Sequence, residues 1–248
     1  MTATLYAKFQ HNFGHFQLDI DMQSSKNISF LIGGNGAGKT TLSRCILGEI
    51  ALKSGTIAVS DHLFFSKGED RDIELSIQNR KIGYVPQQDV LFACFDVIDN
   101  IALGLWKQQE MQKFQARSLA QEFLVRMGLE DIGHQKPQNC SGGQKRLISI
   151  ARALLMKPQF LLFDEPFHSV DLPTKIRLLP FVFEFIETHN IPCLWISHDG
   201  LVLQNSHVGE RFYIEKGKSR IWSEWKQDQS DSLYFKQICE YMDDVQKM

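Results

Sequence analysis

Apolar and polar positions follow two kinds of pattern along the chain, one typical of strands and one typical of helices, and the two alternate. Residues 17–21 alternate apolar and polar side chains, as a half-buried strand does. Three further runs are short and mostly apolar, which is typical of strands buried on both faces. They are Ile28–Ile32, residues 160–163 and Cys193–Ile196. Residues 82–85 are predicted to form another strand, which Pro86 is expected to end because proline lacks the N–H that a strand needs.

Helical spacing separates these apolar runs. It predicts one helix over Lys39–Leu47 with Gly48 as its stop, and another over Leu172–Thr188. Residues 97–127 are also helical in pattern and rich in polar side chains, with Gly104 and Gly128 as the expected breaks. Buried strands that alternate with helices predict an α/β fold with a parallel sheet covered on both faces. The helical block interrupts that sheet and is expected to form a lobe of its own.

Two segments give weaker signals. The polar stretch from 66 to 80 is predicted to be a solvated loop or an edge strand. Near the C-terminus, Tyr234, Ile238, Tyr241 and Val245 recur at helical spacing. A terminal helix docked on the core is the favoured interpretation, and a partner-binding helix is the alternative.

Composition narrows the class of protein. The chain has 248 residues, 43% of them hydrophobic, and a net charge of -2, which argues against a nucleic-acid binder with its usual basic excess. Its apolar runs are far shorter than the roughly 20 residues of a membrane helix, and no secretion signal precedes them. We therefore expect a cytosolic protein. Its five cysteines lack C-x-x-C spacing and are expected to be packing residues rather than disulfide or metal ligands.

Residues 33–40 match the phosphate-loop pattern G-x-x-x-x-G-K-[ST] without a gap. Glycines let the backbone fold around phosphate oxygens with its N–H groups inward, and the following helix turns its positive end to the same anion. Lys39 would reach the β- and γ-phosphates, the Thr40 hydroxyl would ligate Mg²⁺, and Thr41 would reach the α-phosphate. The residues predicted to hold the nucleotide here are Gly33, Asn35, Gly36, Ala37, Gly38, Lys39, Thr40 and Thr41.

Two carboxylates, Asp164 and Glu165, directly follow the apolar run 160–163. Adjacent acids at the end of a buried strand are costly unless something uses them. Beside a phosphate loop, Asp164 is predicted to hold Mg²⁺ through water, and Glu165 to orient and deprotonate the attacking water. A solvated strand end is the alternative, and the presence of the phosphate loop disfavours it.

Ser141 and Gln144 have the spacing of a capping box, which predicts a helix that begins here and runs to Leu155. The paired glycines in its first turn, Gly142 and Gly143, leave backbone N–H groups open, as an anion site requires. A helix cap with no ligand explains the same residues equally well.

Taken together, these motifs resemble the ABC ATPases, and the resemblance covers nearly the whole chain in the family's order. Six segments carry it, and each of them resembles one motif of the family. They are residues 33–40 (Walker A), 84–87 (Q-loop), 140–144 (signature motif), 160–165 (Walker B), 169–171 (D-loop) and 196–199 (switch region).

The resemblance implies roles for further residues. Gln87 would reach Mg²⁺ and the attacking water, and His198, as the histidine of the switch region, would take part in catalysis. Phe13 resembles the aromatic residue that stacks on adenine, with a core or surface role as the alternative. The signature residues Ser141, Gly142, Gly143 and Gln144 and the D-loop residue Asp171 would contact nucleotide. Two positions depart from the family: Cys140 replaces the usual leucine, and His168 replaces a small residue.

The resemblance also implies an architecture: a RecA-like mixed-sheet core with an antiparallel β subdomain and an inserted helical subdomain. The expected single domain spans residues 1–248, with the core at 1–87 and 159–248 and the helical subdomain at about 88–158. ATP and Mg²⁺ are the implied ligands. Two such domains pair head to tail, so that each ATP lies between one chain's phosphate loop and the other's signature motif.

The leading hypothesis is the ATPase subunit of an importer, peripheral on the inner face of the cell membrane. Its expected partners are membrane permease subunits, a second ATPase subunit and, indirectly, a substrate-binding protein, with no nucleic acid. Residues 171–180 and 190–192 look most like the molybdate-type importer ATPases, followed by thiamine and ferric-iron types. The additional C-terminal regulatory domain of many molybdate-type members is expected to be absent. A soluble ABC ATPase acting on ribosomes or DNA, or a regulatory homologue, is the alternative.

Overall fold

A computed structural model describes residues 4–68, 72–88, 90–109, 111–199, 201–202 and 209–221. In these ranges the strands are β1 (Leu5–Asn12), β2 (Gln17–Ser24), β3 (Ile28–Ile32), β4 (Gly55–Val59), β5 (His62–Lys67), β6 (Ile73–Glu74), β7 (Ile82–Val85), β8 (Phe160–Asp164), β9 (Cys193–Ile196), β10 (Glu210–Glu215) and β11 (Lys218–Ile221). The helices are α1 (Lys39–Leu47), α2 (Val97–Gln108), α3 (Lys113–Met127), α4 (Gly142–Leu155) and α5 (Leu172–Thr188). The predicted C-terminal helix lies outside the described residues.

One mixed sheet organises the described part of the chain, in the order β6-β5-β4-β1-β2-β11-β10-β3-β9-β8-β7. Strands β10, β3, β9, β8 and β7 run parallel to one another. Strands β2, β1, β4, β5 and β6 form the antiparallel half. The predicted α/β class and the buried parallel strands are therefore confirmed, since every residue of β3, β8 and β9 is buried.

Apolar side chains cover both faces of the parallel half. One core cluster joins the sheet to α2, α3, α4 and α5, and the other joins it to α1 and the antiparallel strands. Trp195 on β9 is fully buried in the first cluster, stacked at 6.0 Å on Phe167 and edge-on at 5.0 Å to Phe163. Aromatic contacts of this kind fix the loop that follows β8, because Phe167 belongs to that loop.

The predicted break at Gly104 is wrong. Gly104 lies inside α2, and the helical block is divided at residues 109–112 instead. A β-carbon at Gly104 would come within 2.3 Å of Met156 Cγ, so glycine is needed here for close packing rather than for a turn. Gly128 does end α3 in the left-handed conformation, as predicted.

Residues 66–80 were predicted to form a solvated loop or an edge strand, and this prediction is wrong for Arg80, the last residue of the segment. Residues 73–74 do form an edge strand, but the Arg80 side chain is only 2% exposed. Its guanidinium donates to the carbonyl oxygens of Leu75 (3.1 Å), Cys45 (3.1 Å) and Ile46 (2.5 Å). The last two belong to the final turn of α1, which carries the negative end of the helix dipole. The Cys45 carbonyl also accepts from the Gly48 N–H at 3.1 Å. Arg80 therefore caps the helix that follows the phosphate loop.

The sequence also predicted that the chain has no membrane-spanning helix and that its cysteines are packing residues. None of the helices in the described ranges combines the length and apolar character that crossing a membrane requires. The described cysteines, Cys45, Cys94, Cys140 and Cys193, are free thiols, and burial raises the pKa of Cys45 to about 12. The expected division into core and helical subdomain stays a prediction.

Replacing Arg80 by methionine should lower the free energy of unfolding by about 2–4 kcal/mol. The substitution removes the charged donor from the carbonyls of Leu75, Cys45 and Ile46, and bonds to charged groups are worth about 1.5–3 kcal/mol each. Denaturant unfolding measures the change. Exposed Arg126→Met is the matched control and should shift stability by less than about 0.5 kcal/mol. Equal stability of the two variants would contradict the capping role.

Candidate active site

A cleft of about 650 Å³ opens where the carboxyl ends of β3, β7 and β8 meet. That volume is within the 300–1,000 Å³ range of small-ligand sites. Its lining residues are Phe13, His15, Phe16, Asn35, Gly36, Gly38, Lys39, Thr40, Thr41, Arg44, Ile50, Gln87, Asp164 and Glu165. Ligand clefts of α/β sheets lie at this edge because the loops after parallel strands converge there.

The phosphate-loop segment joins β3 to α1 and needs glycine at two positions. Gly36 and Gly38 have φ angles of 74° and 108°, in the left-handed region that favours glycine. Gly38 is also the N-cap of α1, and a β-carbon there would come within 2.8 Å of Phe16 Cζ. Because glycine offers no side-chain cap, the first N–H groups of α1 are left for a ligand, and Thr40 and Thr41 in that turn line the cleft.

Lys39 turns back over its own loop. Its Nζ donates to the carbonyl oxygens of Gly33 at 2.7 Å and Gly34 at 2.9 Å. Burial lowers the pKa of Lys39, while the negative charges of Glu165 and Asp164 act in the opposite direction. The ammonium group is thus held beside two carboxylates in a partly dehydrated cleft, where a phosphate would be a stronger partner than neutral carbonyls.

Asp164 ends β8 and is 2% exposed. Among the described residues, its Oδ2 is buried without a hydrogen-bond partner. Burial and the neighbouring charge of Glu165 raise the pKa of this carboxyl, whereas Lys39 and Arg146 lower it. A buried carboxylate oxygen that lacks a partner, in a cleft that Thr40 also lines, fits a hard divalent cation such as Mg²⁺, which prefers oxygen ligands.

Glu165 follows in an unusual backbone conformation, with a φ of 53° in a non-glycine residue. Its own N–H donates to the Ile196 carbonyl at 2.9 Å, which holds the residue against the end of β9. His198 Nδ1 lies 2.6 Å from Glu165 Oε1, and His168 Nδ1 lies 3.9 Å from Oε2. Strain of this kind, held by surrounding structure, aims a carboxylate that is only 8% exposed.

His198 does not line the main cleft but a neighbouring pocket of about 340 Å³ shared with Glu165. Asp199 stabilises this loop: it accepts from the N–H of Leu201 at 3.0 Å and pairs with Lys175 of α5. The histidine therefore contacts Glu165 from a pocket that Lys39 does not line. Gln87 does line the main cleft, together with Asp164 and Glu165.

The cleft contains aromatic residues that the sequence reasoning only partly identified. Phe13 lines it, as predicted for an adenine-stacking residue, but so do Phe16 and His15, which were missed. The rings of Phe13 and Phe16 lie 6.2 Å apart, and Phe16 packs directly against the phosphate loop at Gly38. Arg44 and Ile50 were missed as well. No sequence motif marked these four residues as lining the cleft.

The signature segment lies elsewhere on this chain. Among the described residues, none of Ser141, Gly142, Gly143, Gln144 and Asp171 lines the cleft. The predicted capping box is confirmed: the Gln144 N–H donates to Ser141 Oγ at 3.2 Å, and the Ser141 N–H donates to Gln144 Oε1 at 2.8 Å. Ser141 and Gly142 are exposed at the start of α4.

The D-loop segment also begins a helix. Asp171 is the N-cap of α5, where it accepts from the Thr174 N–H at 3.0 Å. This backbone bond lowers the pKa of the Asp171 carboxyl. A β-carbon at Gly143 would lie 3.1 Å from the Ser169 carbonyl, so the signature and D-loop segments are in contact. The nucleotide roles predicted for both segments stay predictions.

Comparison with known proteins identifies the family. The ABC transporter family model matches residues 17–168. The chain belongs to the ABC transporter family. It is 37% identical to the molybdenum import ATP-binding protein ModC of Vibrio parahaemolyticus, over 79% of this chain and 51% of the relative. It is 33% identical to ModC of Hahella chejuensis, over 84% of this chain and 57% of the relative. The chain thus spans about half the length of the curated relatives it matches.

A solved structure supports the fold. The chain matches a dimeric ATP-binding cassette in a post-hydrolysis state bound to ADP and Pi, with a TM-score of 0.71 and 23% identity. The match covers 89% of this chain and 98% of the other. The predicted ABC ATPase fold and the predicted resemblance to molybdate-type relatives are therefore confirmed.

Proposed function

We propose that this chain binds and hydrolyses ATP with Mg²⁺ in the cleft between the phosphate loop and the end of β8. One observation carries the proposal: Lys39, Asp164 and Glu165 line the same cleft, and one buried oxygen of Asp164 has no partner among the described residues. The two carboxylates would repel a polyphosphate that binds to Lys39. The cleft therefore suits a polyanion that is accompanied by a divalent cation.

The phosphate loop binds the triphosphate. Backbone N–H groups of residues 33–41 and the start of α1 surround the phosphate oxygens, and Lys39 exchanges its bonds to Gly33 and Gly34 for the β- and γ-phosphates. Phe13 and Phe16 offer ring faces for the adenine at the open side of the cleft. Asp164, Thr40 and Gln87 would hold Mg²⁺, which supplies positive charge against the phosphates.

Glu165 performs the proton transfer in this proposal. Its carboxylate accepts a proton from the attacking water, while the water oxygen is directed to the γ-phosphorus in line with the leaving oxygen. His198 donates to Oε1 and so fixes the orientation of that carboxylate, which leaves Oε2 for the water. Gln87, which lines the same cleft, orients the same water.

The active unit is a head-to-tail pair of such domains. Ser141 and Gly142 are exposed, Gly143 and Gln144 are half-buried, and none of the four lines this chain's own cleft. In this proposal they contact nucleotide held by a second copy. The N-terminus of α4 and the Ser141 hydroxyl are suited to an anion. Asp171 follows Ser169, whose carbonyl lies beside Gly143, and it contributes to the same contact. The second subunit is proposed to be a copy of this chain.

The names of the relatives extend the proposal to transport. We place this chain as the ATPase subunit of an importer for molybdate or a similar small anion, peripheral on the inner face of the membrane. Separate permease subunits bind it, and a substrate-binding protein delivers the anion to them. A groove of about 390 Å³ after the Q-loop segment exposes Val90 (59%) and Phe92 (45%), which suits a docking permease segment. The ribosome or DNA alternative is not favoured.

Glu165→Gln should lower ATP turnover by about 10²–10⁴-fold and leave the affinity for Mg-ATP within a few fold. The amide keeps the shape of the side chain but cannot accept the proton. Phosphate-release kinetics and equilibrium nucleotide binding give the two numbers. Exposed Glu122→Gln serves as the matched control and should match the wild type. Near-normal turnover by the Glu165 variant would refute the assignment.

The importer proposal has its own test in the native membrane. A tagged Glu165→Gln chain with Mg-ATP should recover a polytopic membrane protein from detergent-solubilised host membranes, identified by mass spectrometry. Adding Phe92→Asp should abolish recovery because it puts a charge into the proposed docking groove. Phe114→Asp, at an 81% exposed position of α3, is the control and should retain it. Recovery of ribosomal or DNA-associated material alone would favour the alternative.

A further inference from the structure

A buried arginine ties the signature helix to the Q-loop segment. Arg146 lies in the second turn of α4, and its side chain is only 2% exposed. One terminal nitrogen donates to the Pro86 carbonyl, and the other donates to the Gln87 carbonyl at 2.5 Å. The two terminal nitrogens, which form the donor fork of the guanidinium group, thus bond two successive carbonyls that precede Arg146 by about 60 residues in the chain.

These two carbonyls lie where the sheet no longer supports the backbone. Strand β7 is at the edge of the sheet, and its pairing with β8 ends at Val85 opposite Phe163. Pro86 and Gln87 therefore continue beyond the strand ladder. Because the fork holds the carbonyls on both sides of the Gln87 N–H and Cα, it fixes the direction in which the Gln87 side chain leaves the backbone.

Packing alone does not call for an arginine at this position. The helix α4 already buries Leu147, Ile148 and Ile150, and an apolar side chain of similar volume avoids the cost of dehydrating a charge. What the guanidinium adds is directional: two donors in a rigid plane, and a positive charge near Asp164. Both act on residues that line the cleft.

We propose that Arg146 is a positioning residue for Gln87, and that it transmits movements of the exposed start of α4 to the cleft. A second copy of the chain that engages Ser141 displaces the first turns of α4, and Arg146 carries this displacement to Pro86 and Gln87. The inference rests on the proposed function, since it concerns the same cleft. It adds a residue outside the six motifs to the machinery that orients the attacking water.

The test compares Arg146→Met and Arg146→Lys with Arg152→Met. Arg152 is the matched control, because it lies on the same helix and donates to a backbone carbonyl of the same connection, that of Val90, at 2.8 Å. Arg146→Met should lower kcat by about 10–100-fold, in line with the effect of misplacing a reacting group by about 1 Å. Its affinity for Mg-ATP should stay within about threefold. Arg146→Lys, which keeps the charge but not the fork, should fall between, and Arg152→Met should match the wild type.

A double-mutant cycle separates positioning from general structure. If Arg146 acts through Gln87, adding Arg146→Met to Gln87→Ala should cost less than about twofold in kcat beyond Gln87→Ala alone. Multiplicative losses of the two substitutions would overturn the proposal. Should Arg146→Met fail to fold, Arg146→Lys enters the same cycle with the same criterion.

Amide hydrogen exchange on the nucleotide-free protein gives a readout that does not depend on turnover. Arg146→Met should speed exchange at residues 83–88 by about tenfold or more and leave residues 147–155 of α4 unchanged. Equal exchange at 83–88 in variant and wild type, or faster exchange throughout α4, would overturn the positioning role. A wild-type chain that neither binds nor hydrolyses Mg-ATP would refute the proposed function instead, while the exchange result would still decide the contact.

Discussion

Lys39 carries a positive charge into a cleft that also holds the carboxylates of Asp164 and Glu165. Without it, two acids would face each other at the end of a buried strand, and their mutual repulsion adds to the cost of dehydration. Lys39 offsets one of these two negative charges, and one oxygen of Asp164 still lacks a partner among the described residues. The other features of the site follow from placing this lysine. Gly36 and Gly38 allow the tight loop that returns Lys39 over Gly33 and Gly34.

The parallel half of the sheet determines which residues meet Lys39. Strands β3, β7, β8 and β9 end at the same edge, so residues far apart in sequence converge there without any long-range motif. Two buried arginines then stabilise the elements that leave this edge. Arg80 caps α1 behind the phosphate loop, and Arg146 fastens the segment after β7 to α4. Both donate from a charged group to backbone carbonyls at the ends of secondary-structure elements.

The sequence pattern predicted the elements whose bounds are set by residues close to them in the chain. The bounds of α1, α4, α5, β3 and β9 followed from apolar spacing, glycine stops and the capping box at Ser141. Contacts between distant residues were not predictable in this way. Gly104 faces Met156, which lies 52 positions later, so its role in packing gave no local signal, and glycine in a helical pattern predicted a break instead. Arg80 follows a polar stretch, and nothing near it in sequence indicates the end of α1 that buries it.

The same distinction between local motifs and long-range contacts applies to the candidate site. The phosphate loop and the acidic pair were predictable because their chemistry requires neighbouring residues. Family resemblance implied a catalytic role for His198, but its contact with Glu165 was not predicted, since the two residues follow different strands. Phe16 was missed because its contact with Gly38 is tertiary, and Arg146 because its partners are about 60 residues away. Long-range polar contacts of this kind need the folded structure.

The affinity of the chain for Mg-ATP, compared between the wild type and Lys39→Ala, tests the central claim most directly. Equilibrium titration measures this affinity. Lys26→Ala, at an exposed position, is the control that separates the loss of the charge in the cleft from the loss of any one lysine charge. Bonds to a charged group are worth about 1.5–3 kcal/mol, so Lys39→Ala should weaken binding by about 10–150-fold, with Lys26→Ala within about twofold of the wild type. An unchanged affinity of the Lys39 variant would contradict the assignment of this cleft to the triphosphate.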